Sequence, residues 1–175
     1  GTNIRRDRRL LTGFVRDIAL VSDADYASLP APSSVKAFPS DLRNPNLEYS
    51  GVYEDGWASE AVLSGLSQPA AANTLLIRGL VPEIGNPNFT TDLTVLIDGQ
   101  VVAKQTLKLG SFEIHVNSPM PEGRRRVELR FSPTQHLPGA DNRPVAALLQ
   151  SLGFESLPAP SSVKAFPTDL RNPNL

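Results

Sequence analysis

The sequence predicts an all-β fold, an antiparallel β-sandwich with extended proline-rich flanking segments, on three observations. Apolar and polar residues alternate through the middle of the chain, Asp98-Gly99 sits between two such runs, and turn residues recur at short intervals. Alternation at period two places one strand face on a core and the other toward water. Asp-Gly between alternating runs is a strong hairpin signal, because both central residues tolerate positive φ. Strands spaced roughly 8–12 residues apart with turn signals mean a sandwich or a barrel.

In chain order, Phe14, Ile18 and Leu20 with β-branched neighbours after Gly13 predict a turn and then a strand. Four prolines between Ser28 and Leu47 favour extended or turn backbone over helix, and Asn44-Pro45-Asn46 and Asn86-Pro87-Asn88 predict turns. Thr74 to Arg78 predicts a strand bounded by Gly79. Leu93, Val95 and Ile97 interleave with Thr94 and Leu96, and Thr94–Ile97 pairs through the Asp98-Gly99 turn with Gln100–Ala103. Thr106 to Leu109 and Ser111 to Val116 are further strands, bounded by Gly110 and by Asn117 with Pro119 and Pro121. Val127, Leu129 and Phe131 alternate with Glu128 and Arg130. Pro144 to Leu152 is ambiguous: Val145, Leu148, Leu149 and Leu152 have helical spacing, Asp141 or Asn142 suits an N-cap, and Gly153 follows. The β-branched character of the matching stretch around Phe14 favours strand.

That match belongs to an internal repeat. Ser28–Leu47 recurs as Ser156–Leu175 with nineteen identities in twenty, Ser40 becoming Thr168. A weaker correspondence relates Asp7–Leu20 to Asp141–Phe154, each opening Asp-x-Arg. A separation of roughly 130 residues is too long for a solenoid unit and predicts a tandem array of whole domains. The expected organisation is an end-of-repeat strand segment at 1–28, a β-sandwich body at 29–156 and the duplicated proline-rich segment at 157–175. The alternative is a pair of linkers copied by duplication. Each copy carries Leu, Val, Phe and Leu, which a solvated linker does not need, so Val35, Phe38 and Leu42 are expected to be buried against a body.

Composition excludes several functions. The 17 Lys plus Arg against 18 Asp plus Glu leave no basic surplus for a dedicated nucleic-acid binder. No Cys is present, so thiol chemistry and Cys-based zinc sites are out. His115 and His136 are the two imidazoles and lack metal-ligand spacing. No cofactor is expected, and no apolar run is long enough for membrane insertion. Two basic clusters, Arg5-Arg6 with Arg8-Arg9 and Arg124-Arg125-Arg126, could meet an anionic polymer or serve only as exposed strand-edge charge.

The order Gly51-Val52-Tyr53-Glu54-Asp55-Gly56-Trp57, the Asp98-Gly99 hairpin, Arg126-Val127-Glu128-Leu129-Arg130 and Asp141-x-Arg143 before an apolar strand resembles accessory β-sandwich regions of bacterial glycosyltransferases and polysaccharide-biosynthesis proteins. The resemblance covers about residues 48 to 155. It implies a jelly-roll-like, non-catalytic module of a glycan-handling protein, with any catalytic domain outside these residues.

Tyr49, Tyr53 and Trp57 surround Glu54 and Asp55, a composition suited to sugar: rings pack on C–H faces and carboxylates accept hydroxyl hydrogen bonds. The competing reading makes Trp57 a packing residue, and makes Asp141 with Arg143, like Asp7 with Arg9, a local turn pair. Tyr53, Asp55, Trp57, Asp141 and Arg143 are the candidate ligand-binding residues. A carboxylate pair for glycoside hydrolysis could come from Glu54, Asp55, Glu60, Glu113, Glu122 or Asp141, but no spacing singles one out. The chain is expected to be no enzyme. Its expected function is to bind or position carbohydrate; the alternative is an assembly module that self-associates through residues 157–175.

Overall fold

β-branched and aliphatic residues supply most of the strand core. The structure is a computed structural model, which describes residues 20–156. The chain runs α1 (Asp23–Ser28), β1 (Ser34–Val35), a 3-10 turn (Asp41–Arg43), β2 (Glu48–Val52), β3 (Trp57–Gln68), β4 (Thr74–Val81) and β5 (Thr90–Ile97). It continues through β6 (Gln100–Lys108), β7 (Gly110–Asn117), β8 (Gly123–Ser132), β9 (Gln135–His136), β10 (Pro144–Val145) and β11 (Ala147–Glu155). The all-β antiparallel expectation holds. One hydrogen-bonded path runs β6-β5-β8-β3-β11-β4-β7, with β2 added to β3 and β1 added to β11. Its two ends, β6 and β7, are joined by the single residue Leu109, so the path nearly closes on itself.

β3 joins the two halves. Its first residues pair with β11 (Ala58 with Ala147), and its remainder pairs with β8 from Ala61–Arg130 to Gln68–Gly123. Val62, Leu66, Leu75, Ile77, Leu93, Val95, Ile97, Val127, Leu129 and Phe131 are buried in one cluster. Each such side chain contributes roughly 1.5–3 kcal/mol by leaving water. At one edge of the core, Gln68 is 1% exposed; its amide nitrogen donates to Ala72 O (2.9 Å) and Ser118 O (2.8 Å), while its oxygen accepts from the Ser118 hydroxyl (3.0 Å). These bonds gather the β3–β4 turn and the chain after β7 around one buried amide.

The Asp98-Gly99 hairpin forms as expected, with φ of 50° and 80° and Ile97 opposite Gln100. Both Asn-Pro-Asn triplets are turns: the Asn44 side chain accepts from Asn46 N, and the Asn86 side chain accepts from Asn88 N. Pro144 to Leu152 is strand, as β10 and β11. Several boundaries differ from expectation. β4 runs through Gly79 to Val81, because Phe112 and the Leu148 carbonyl crowd the space a Cβ would occupy there. Thr106 belongs to β6, which is one strand carrying a bulge opposite Val95–Leu96. Within the 1–28 segment expected to be strand, Asp23–Ser28 is a helix capped by the Ser22 side chain, which accepts from Asp25 N.

The first copy of the repeat lies on the body as a strap. Val35 and Leu42 are buried and Phe38 packs against the core, as the apolar pattern requires; Leu47 is buried as well. Expectations for Phe14 and Ile18, for Asp7 and Arg9, for Arg5 to Arg9 and for the second copy at 157–175 fall outside the described residues.

Candidate functional site

The β2–β3 turn is closed by Tyr53 N donating to Trp57 O and Gly56 N donating to Tyr53 O, both at 2.9 Å. It presents Tyr53, Asp55 and Trp57 side by side in the chain. The approach to β10 brings Asp141 and Arg143 to the same place. Arg143 Nε donates to Asp141 Oδ1 (2.8 Å), and Nη2 donates both to Asp141 Oδ2 (2.8 Å) and to Asp55 Oδ2 (2.7 Å). Nη1 adds a bond to Asp55 Oδ1 (3.2 Å). The guanidinium is therefore bidentate to both carboxylates, a geometry its planar fork favours. It also lies over the Tyr53 ring, 4.4 Å from the centroid, in a cation–π contact.

Four of the five candidates, Tyr53, Asp55, Asp141 and Arg143, thus form one cluster drawn from two distant parts of the chain. The local pairing of Asp141 with Arg143 is present, and Arg143 reaches beyond it to Asp55. Trp57 adjoins the cluster through its backbone, whose carbonyl accepts from Tyr53 N to close the turn. Its side chain is half-buried and, among the described residues, stands outside the core cluster. Tyr49 is exposed on β2 and Glu54 is exposed in the turn.

The electrostatics follow from the geometry. Hydrogen bonds from Arg143 hold both the Asp55 and the Asp141 carboxyls below the usual carboxylate range. The two carboxylates raise the Arg143 guanidinium in turn. Their side chains remain open to solvent, Asp55 at 49% and Asp141 at 46%. Two carboxylates fixed by one guanidinium, with unused lone pairs, and the Tyr53 ring against that guanidinium make a polar ledge at the β2–β3 turn.

No protein-family model matches the chain, and no curated protein matches it. Among solved structures it is similar to the salicylyl-acyltransferase SsfX3 from a tetracycline biosynthetic pathway. The sequence identity is 24% and the TM-score 0.37, with 71% of this chain and 39% of that chain covered. The chain therefore spans well under half the length of that protein.

Each arginine of the second basic cluster is paired with a carboxylate, Arg124 and Arg126 sharing Glu48. Arg124 donates to Glu48 Oε2 (3.3 Å) and Pro30 O (3.2 Å), Arg125 to Asp98 Oδ2 (3.2 Å), and Arg126 to Glu48 Oε1 (3.4 Å). Tyr26 on α1 lies between Arg124 and Arg126, 4.8 and 4.9 Å from its ring centroid, and its hydroxyl donates to Glu48 Oε2 at 2.7 Å. Burial, aided by Glu48, pushes the Tyr26 hydroxyl up. Tyr26 and the three arginines border a groove of about 690 Å³ whose wall also carries Asp23, Asp98 and Glu128. Sequence reading missed the Tyr26–Glu48–Arg124 contact; its signal was an aromatic residue just before the repeat and a carboxylate just after it. Among the described residues no group of three His, Asp or Glu is placed to hold a metal ion, and no helix is long and apolar enough to cross a membrane. His115 Nε2 pairs with Glu113 Oε1 at 2.6 Å, and the His136 ring faces Asn142 O at 3.2 Å.

Proposed function

We propose that the chain is a non-catalytic β module that binds or positions carbohydrate in a glycan-handling protein, at the ledge formed by Tyr53, Asp55, Trp57, Asp141 and Arg143. The observation that carries this reading is the pair of solvent-open carboxylates fixed by one guanidinium beside an aromatic turn. Fixed acceptors lose little freedom when a sugar hydroxyl donates to them, which favours binding over a mobile surface carboxylate. Two Asp and one Arg leave the ledge net negative, so neutral saccharides suit it better than acidic ones. Both carboxyls are held ionised, which suits acceptors and does not suit a general acid near neutral pH.

Titration of Trp57 emission with neutral and acidic oligosaccharides tests the reading, because the chain has a single Trp. A saturable shift with a neutral sugar is expected. It should weaken at least tenfold in Arg143→Ala, which releases both carboxylates, and in Asp55→Asn. Binding that survives both substitutions, or a flat response across a broad panel, overturns the assignment.

A further inference from the structure

The strap of the first repeat copy has a defined seat. Its β1 adds to the free edge of β11, with Ser34 opposite Gly153 and Val35 opposite Leu152. Phe154 N donates to Ser33 O and Ser67 N donates to Pro32 O, both at 2.9 Å, so β11 and the end of β3 hold the strap from two strands. Lys36 Nζ reaches Glu155 at 2.8 Å. A Cβ at Gly153 would lie 2.2 Å from the Ser34 Cβ, so the seat exists because position 153 has no side chain. Val35 and Leu42 fill the core beneath, and Asp41 accepts from Lys36 N and Ala37 N to shape the bend between them.

Every strap residue in those contacts recurs in the second copy: Pro160, Ser161, Ser162, Val163, Lys164, Asp169 and Leu170 stand for Pro32, Ser33, Ser34, Val35, Lys36, Asp41 and Leu42. The one change is harmless to the fit. The Ser40 hydroxyl donates to Ala37 O at 3.3 Å at an exposed position, and threonine carries the same hydroxyl donor. One body thus offers one seat, and each chain carries two chemically equivalent straps.

We propose that the β11 edge is a sequence-specific docking seat and that residues 156–175 of one chain occupy it on a second copy, linking chains head to tail by strap exchange. Main-chain bonds along an exposed strand edge and pockets for alternate side chains are the usual physics of strand addition. The second copy follows β11 directly in the sequence. To enter the seat beside the strand it has just left, it would have to reverse direction within residues 155–160, and Leu157-Pro158-Ala159-Pro160 resists this. Each residue before a proline is pushed toward extended backbone and each proline fixes φ. Exchange between chains conserves every contact, so the resident strap prevails in dilute wild-type protein and loss of that strap tips the balance.

Sedimentation velocity on the full chain tests the proposal. With Val35→Asp and Leu42→Asp, the resident strap is disabled, and assemblies of at least twice the monomer mass are expected to grow with concentration. Adding Val163→Asp and Leu170→Asp to the same chain should abolish them. A first-copy variant that keeps its far-UV strand spectrum and stays monomeric at all concentrations overturns the proposal, as do assemblies that persist when both copies are damaged. If the first-copy variant unfolds, a synthetic peptide of residues 156–175 added in trans should restore the strand spectrum, and failure to restore it is equally fatal. A labelled form of that peptide should bind the first-copy variant at least tenfold more tightly than wild type, whose seat is filled; equal binding to both overturns exclusive use of the seat.

Discussion

Single carboxylates do much of the positioning in this protein, and their ionisation ties structure to pH. Asp41 accepts hydrogen bonds from two strap N–H groups, at 2.8 and 2.9 Å, and these lower its carboxyl below the usual value. Arg143 does the same to Asp55 and Asp141. A group with a depressed folded pKa binds its proton less readily folded than unfolded. Its contribution is therefore complete above the unfolded carboxylate range, about pH 4, and is lost as pH falls through the lower folded value. Asp41→Asn should lower the thermal midpoint at pH 7, and the gap to wild type should narrow as pH falls below about 4 and the native carboxylate is protonated. A gap that stays constant throughout acid titration would assign the effect of the substitution to packing instead of charge. The cluster at Arg143 was partly legible in the sequence, since Asp-x-Arg and the aromatic turn each stood out; what no spacing could show was that residues 55 and 143 meet.

At the scale of elements, local turn chemistry was the most readable signal and long apolar runs the least. The Asp98-Gly99 hairpin was fixed by two residues, and the structure adds a second reason for Asp98. Its backbone N–H donates to Arg126 O, and its carboxylate accepts from Arg126 N and from the Arg125 guanidinium, so the hairpin tip is bonded to the neighbouring β8. Asp98→Asn keeps an acceptor for Arg126 N and tolerates the positive φ, whereas Asp98→Ala loses both advantages. In urea unfolding, the Ala variant should cost about 2 kcal/mol and the Asn variant under about 1 kcal/mol; equal losses would show that the side-chain bonds to β8 contribute nothing. The segment Pro144 to Leu152 carried both patterns, and the strand reading favoured for it holds. Its helical spacing arises because β11 lies between β1 and β3 on one side and β4 on the other, and carries an irregularity between Leu149 and Ser151 that shifts the alternation by one residue. β3 was not anticipated at all. Its three Ser, two Ala and one Gly among twelve residues weaken its strand preference, and it is held as strand by partners on both edges.

For the whole molecule, the decisive feature is that strap, both sheet halves and the β3 strand they share contribute to one core. Val35, Leu42 and Leu47 from the strap stand in the same buried cluster as Leu66, Ile77, Leu93 and Phe131. Neither sheet half retains a closed apolar face without the other, because β3 supplies both with a hydrogen-bonded neighbour. Under such coupling, intermediate states expose core without releasing much chain entropy, and small domains of this kind unfold in one step. Urea unfolding followed by Trp57 emission and by far-UV circular dichroism should therefore give one shared midpoint. Trp57 reports the β2–β3 turn beside β11, while dichroism reports all strands. Phe131→Ala, a truncation at a side chain 1% exposed on β8, should shift both curves together by about 3–5 kcal/mol. An early Trp57 transition separate from the dichroism change would mean that the ledge and the strap detach while the β5–β6–β8 half stays folded, and the two halves would then have to be treated as independent cores.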